Sequence, residues 1–170
     1  MDDDRELFLM QQNYGTLFSL TNKIQVKADK CFGSLTSRQL MVMIAIVHLP
    51  EEETTINNIA RKLGTTKQSA KQLITIMENK GYVVTVPSKK DKRAVNIKIT
   101  EAGKQATMEC GEKGMYFIQK LFKSFSIDEL ETLWGFLRRL YNFDGEEHDG
   151  FEDRIDFERV VDNRNELEDS

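Results

Sequence analysis

Cysteine, histidine and proline are nearly missing from this 170-residue chain, which holds two of each. Cys31 and Cys110 lie far apart and form no C-x-x-C pair, which argues against a zinc ribbon or a disulfide scaffold. With only His48 and His148, a histidine-based metal site or triad has very little to draw on. Paired carboxylates, a nucleophile elbow, a phosphate loop and a metal-ligand cluster are also missing, so an enzyme ranks last among the function classes. No apolar run approaches the length of about 20 residues that a membrane span needs. The N-terminal MDDDRE is opposite in charge to a secretory signal. Together these absences predict a soluble, cytoplasmic protein with no cofactor, no metal and no membrane partner. Hydrophobic content is a lean 39%, which suits an elongated helical protein or one whose core is completed by a partner chain.

What is present is charge, and it is unevenly spread. Residues 144–170 hold 12 acidic and 3 basic residues, a net of −9, whereas residues 1–143 carry +5. Residues 55–104 alone hold 11 basic and 3 acidic residues, a net of +8. The overall charge of −4 therefore comes from the tail, and the middle is a basic module of the kind that marks nucleic-acid binders.

The apolar pattern predicts mostly helix. Leu7, Met10, Tyr14, Leu17, Phe18, Thr21 and Ile24 form a helical stripe within 7–30, with a possible break at Asn13-Tyr14-Gly15. Thr36 and Gln39 have capping-box spacing at the head of a helix that runs to Val47. Thr55 caps a short helix with Ile56, Ile59, Ala60 and Leu63 on one face, and Gly64 ends it. Thr65 to Gln68 offers a second capping box, opening a helix that Gly81 terminates. There Ala70, Leu73, Ile74 and Met77 cluster on one side, and Lys67, Gln68, Lys71, Gln72 and Thr75 on the other. Tyr82–Val86 and Ala94–Thr100 read as two strands. In the second, Val95, Ile97 and Ile99 lie on one face and Asn96 and Lys98 on the other. Helices follow over 101–125 and from Ser126, which forms a further capping box with Glu129. The fold class is mainly α with a small β-hairpin.

Short helix, tight turn, second helix and hairpin make a winged helix-turn-helix. The second helix presents amide and cationic side chains near its N-terminus, groups that read base edges in a major groove. The candidate site there is Thr65, Thr66, Lys67, Gln68, Ser69, Lys71 and Gln72. The hairpin tip, with Lys89, Lys90, Lys92 and Arg93 around Asp91, is placed for backbone or minor-groove contact. The bland alternatives are a solvated helix face and a plain surface pair between Asp91 and Arg93.

The run TINNIARKLGTTKQSAKQLI, then MENKGYV, then DKRAVNIKITEAG resembles the MarR family of bacterial transcription regulators, as does LTSRQ at the head of the preceding helix. The resemblance spans about residues 10–142 and is strongest over 55–103. It implies a homodimer formed through helices at about 7–30 and 101–142, with a DNA-binding module at about 36–100 within a regulator domain of residues 1–143. It also implies binding to palindromic double-stranded DNA, with Arg93 at the minor groove, Asp91 bracing a wing arginine and Thr65 to Gln72 facing the major groove. Many members release DNA on binding a small, often phenolic ligand, and others respond to thiol oxidation. This points to a repressor with a small aromatic effector, and to Cys31, with Lys27 and Lys30 nearby, as the redox candidate. The chain departs from the family at Thr85, where many members carry an arginine, and in the acidic tail 144–170. That tail has three readings: a solubilising appendage, an autoinhibitor docked on the basic wing, or a recruiter of partners. The alternative function is a winged-helix adaptor that binds protein and not DNA.

Overall fold

The computed structural model describes residues 2–89, 93–145 and 151. In chain order the elements are α1 (Asp2–Asp29), α2 (Ser37–His48), a 3-10 turn (Glu51–Glu53), α3 (Ile56–Lys62), α4 (Lys67–Asn79), β1 (Val83–Pro87), β2 (Val95–Ile99), α5 (Glu101–Phe122), α6 (Ile127–Tyr141) and a second 3-10 turn (Asn142–Asp144). Mainly helical with one two-stranded hairpin, this is a winged helix-turn-helix framed by long N- and C-terminal helices.

The core is centred on α2. Val42, Met43, Ala45 and Ile46 are buried there, and Ile59 of α3, Ala70, Ile74 and Met77 of α4, Val83 of β1 and Ile97 of β2 close around them. Ala28 and Phe32 bring in the end of α1, and Ala106 and Cys110 bring in α5. Phe117 meets the Phe32 ring edge-on at 6.2 Å. Covering these side chains stabilises the α2-centred core by about 25 cal/mol for each Å² of apolar surface buried.

Capping chemistry sets most element boundaries. The expected capping boxes at Thr36–Gln39 and Ser126–Glu129 are both formed. The third is displaced by one residue. Thr66, not Thr65, caps α4, accepting from the Ser69 N–H at 3.1 Å. Thr65 is already engaged by the preceding helix. Its N–H donates to Ala60 O and the Gly64 N–H donates to Arg61 O, both at 3.0 Å, which is the Schellman pattern. Gly64 sits at φ +60°, a conformation that would strain a side chain. The same pair of bonds, from Gly81 and Tyr82, ends α4.

Two other expectations are corrected. α1 is continuous through Asn13-Tyr14-Gly15, because the Asn13 amide donates along the helix to Leu9 O at 2.8 Å instead of breaking it. On β2, Asn96 is buried and Val95 is 39% exposed, so the strand does not alternate as its sequence suggests. Asn96 is drawn inward by a third segment. It forms a bridge with Thr55, and its amide donates to Glu51 O at 3.2 Å. Val95 lies one rung further out, beyond the core's reach.

The terminal helices are different in kind. Along the 28-residue α1, Leu7, Phe8, Met10, Tyr14 and Phe18 are all at least half exposed, and α6 has no buried residue at all. At the C-terminal end, Tyr141 reaches the turn between α3 and α4, where a Cβ at Gly64 would lie 2.9 Å from its hydroxyl. Phe151 stands edge-on to His48 at 5.3 Å and under the Lys62 ammonium at 5.5 Å. Beyond Phe151 the tail lies outside the described residues, as do the three readings proposed for it.

Candidate nucleic-acid interface

Helix α4 is built to show one face. Ala70, Ile74 and Met77 are buried and Leu73 is half-buried, so helical geometry turns Lys67, Gln68, Lys71, Gln72 and Thr75 outward, and all five are exposed. Apart from the Thr75 hydroxyl the exposed set is cationic or amide-bearing, and the first turn carries no acid. The capping threonine also fixes Ser69, whose hydroxyl accepts from the Thr66 hydroxyl at 3.0 Å. Of the predicted residues on this helix, Lys67, Gln68, Lys71 and Gln72 therefore share the outer face. Thr66 and Ser69 shape the helix start, and half-buried Thr65 is committed to the turn.

The hairpin leaves the far end of the same helix. Its strands pair antiparallel from Val83↔Ile99 to Pro87↔Val95, and the Ser88 N–H donates to Ala94 O at 3.1 Å to close the last rung. Lys89 and Arg93 follow at the tip and are exposed. Lys90, Asp91 and Lys92, also predicted for the wing, lie outside the described residues, and so does any pairing of Asp91 with Arg93.

Besides the Asn96 contacts, three more hold the hairpin against the body. The Ile97 N–H donates to Thr54 O at 2.9 Å. Lys98 pairs with the Glu51 carboxylate. Glu78, in the last turn of α4, accepts from the Thr85 N–H at 3.0 Å and from the Thr85 hydroxyl at 2.5 Å. The Glu51 carboxyl is held below its ordinary value, first by the Lys98 hydrogen bond, then by the charge of Lys98, with a smaller part from Lys89. Nothing in the cation pattern of the sequence points to these acids. Only the fold brings Glu51 to Lys98.

The base of the hairpin is fixed by Thr100 and Gly103. The Thr100 N–H donates to Tyr82 O at 3.0 Å, its hydroxyl donates to Gly81 O at 2.5 Å, and its side chain also accepts from the Gly103 N–H. A Cβ at Gly103 would stand 2.0 Å from Tyr82 O. The Thr-Glu-x-Gly run thus has a steric reason: α5 must begin in contact with the strand backbone.

Cys31 is exposed just beyond α1 and Cys110 is buried among core residues, both as free thiols. Among the described residues, no group of histidine, cysteine, aspartate and glutamate could hold a metal ion, and no helix is long and apolar enough to cross a membrane.

No curated protein matches the chain. The model of the MarR family matches residues 34–94, from the head of α2 to the end of the wing loop. Among solved structures, the MarR/EmrR family regulator from Acinetobacter sp. ADP1 is similar at TM-score 0.71 and 18% identity, covering 81% of this chain and 97% of that one. The Staphylococcus aureus MepR–DNA complex is similar at TM-score 0.68 and 22% identity, covering 76% and 96%. The organohalide-sensing regulator RdhR-CbdbA1625, in its 2,4-dichlorophenol-bound form, is similar at TM-score 0.70 and 18% identity, covering 79% and 80%. At these identities the likenesses establish the fold. The family match covers the chain from the head of α2 to the end of the wing loop, and the fold is that of the winged helix-turn-helix regulators it resembles.

Proposed function

We propose that the protein is a homodimeric, sequence-specific binder of palindromic double-stranded DNA, acting in the cytoplasm as a repressor that a small aromatic ligand releases. The observation that carries this reading is the outer face of α4. Its exposed Lys67, Gln68, Lys71 and Gln72 are presented beside a hairpin whose tip bears Lys89 and Arg93. Amide side chains suit adenine edges and cations suit guanine edges or phosphates. Two such faces, related by a dimer axis, would read two half-sites about one helical turn apart. The apolar surface left exposed on α1 and α6 supports the dimer, and the MepR complex supports DNA as the ligand of this fold. The dichlorophenol-bound relative supports a phenolic effector, and the aromatic and methionine side chains of α5 and α6 suit one. In this reading residues 1–143 are the regulator and 144–170 a solubilising tail.

Selection of bound sequences from random duplexes tests it. The expected product is a palindrome, bound with a log K that falls by about 0.9 per log salt for each phosphate neutralised. Arg93→Ala should cost roughly 1–3 kcal/mol if it contacts a groove, and Lys67→Ala should weaken binding as well. Variants that bind as tightly as the parent defeat the DNA assignment, and salt-independent capture of protein alone would favour the adaptor.

A further inference from the structure

The wing is gripped on both edges at a single rung. Thr85 and Ile97 face each other across the hairpin, and neither N–H serves the ladder between them. Both point outward, as they do at a non-hydrogen-bonded antiparallel pair. On the β2 edge the Ile97 N–H meets Thr54 O, and on the β1 edge the Thr85 N–H meets the Glu78 carboxylate. Three rungs lie beyond this grip, at Val86↔Asn96, Pro87↔Val95 and the Ser88–Ala94 closure, before the tip that carries Arg93. On the β2 edge Asn96 is tied further to Thr55 and Glu51 O, and on the β1 edge the Thr85–Glu78 contact ties the strand to α4.

Glu78 is otherwise badly placed. It lies in the last turn of α4, where the helix dipole favours a cation, and that turn has no basic residue. It also adds a negative charge to the basic module. The residue that receives it is Thr85, at the position where many family members carry an arginine. Threonine offers two short donors from one residue, its N–H and its hydroxyl, and both converge on one oxygen of Glu78.

We propose that Glu78 is a positioning residue for the wing: through Thr85 it locks the hairpin to the C-terminal end of α4, so the direction of the tip is set by the same helix that faces the bases. This rests on the DNA-binding reading above, and it assigns to Glu78 and Thr85 an orienting role with no DNA contact of their own.

The test uses the full chain, with Glu78→Ala, Glu78→Gln and Thr85→Ser, each alone and combined with Arg93→Ala. Two quantities are read: amide exchange across the hairpin of the free protein, and affinity for a duplex selected by the parent. Glu78→Ala should speed exchange at Thr85 and the rungs beyond it about threefold to tenfold, the scale of a hydrogen bond to a charged group discounted for exposure, with α2 unchanged. Operator affinity should fall by a similar factor. That loss should vanish in the Arg93→Ala background, because the direction of the wing no longer matters without its arginine. Thr85→Ser keeps both donors and should retain parental exchange and affinity, and Glu78→Gln keeps an acceptor without the charge, so it should fall between the parent and Glu78→Ala in both. Unchanged exchange in Glu78→Ala overturns the lock, whether or not the protein binds DNA. Faster exchange with unchanged affinity, or an equal loss with and without Arg93, overturns the positioning role. A parent that selects no duplex defeats the DNA reading itself, and exchange then decides the lock alone.

Discussion

Gly103 shows how a single residue can hold two elements in register. Its backbone faces the Tyr82 carbonyl so closely that no side chain fits between them. Gly103→Ala must push α5 off the hairpin base or bend the strand, and overpacking of this kind costs about 1–3 kcal/mol, occasionally more. The expected result is a lower urea midpoint with an unchanged slope. Glu51 makes a different prediction at the same scale. Its carboxyl titrates below its ordinary value of 4.5 because the folded state holds it charged beside Lys98. Stability from this contact is present above the ordinary carboxylate value and is lost as pH falls through the lowered one. Both groups are well exposed, so the effect is small and salt-sensitive. Protection of the Ile97 amide, taken relative to the intrinsic exchange rate at each pH, should fall in that acid window, and Lys98→Met should remove the acid dependence.

Helix α4 gathers several of these local devices into one element. Thr66 opens it, Gly81 closes it, a buried stripe fixes its roll and Glu78 ties it to the wing. Thr66→Ala should cost about 1 kcal/mol by freeing the Ser69 N–H, the usual penalty for removing an N-cap threonine. The cost should appear in thermal midpoint and, in the proposed reading, in operator affinity together, because there the fraying end is the end that faces DNA. The span and roll of α4 were legible in its sequence, since a 3.6-residue apolar stripe has only one way to face a core. Its cap was misplaced by one residue because the competing Schellman bonds of α3 arise from how two helices meet. In the wing, the pattern of Val95, Ile97 and Ile99 promised a plain amphipathic strand. A third segment at Thr54 and Thr55 reversed the roles of Val95 and Asn96.

At the scale of the whole molecule, the chain looks incomplete by itself. Trp134, Phe136, Leu137 and Leu140 of α6 and the apolar stripe of α1 remain largely in water, more apolar surface than a monomer ordinarily leaves uncovered. In the dimer reading these faces cover one another. Leu137→Glu should halve the mass measured by sedimentation and weaken operator binding roughly 10²- to 10⁴-fold, because a monomer loses the second half-site. A parent protein that sediments as a monomer would count against the dimer. Phe151 contacts both His48 of α2 and Lys62 of α3.

The order of elements, the two capping boxes, the split between a basic middle and an acidic tail, and the likeness of residues 34–94 to the MarR family were determined by the sequence alone. Each depends on residues that are neighbours along the chain or on a single helix face, so local rules suffice. Glu51 on Lys98, Glu78 on Thr85, Asn96 inside the strand and Tyr82 against Gly103 were decided only by the tertiary structure. These contacts join segments whose approach depends on how α2, α3 and α5 pack around the hairpin, and no periodicity within one segment encodes that.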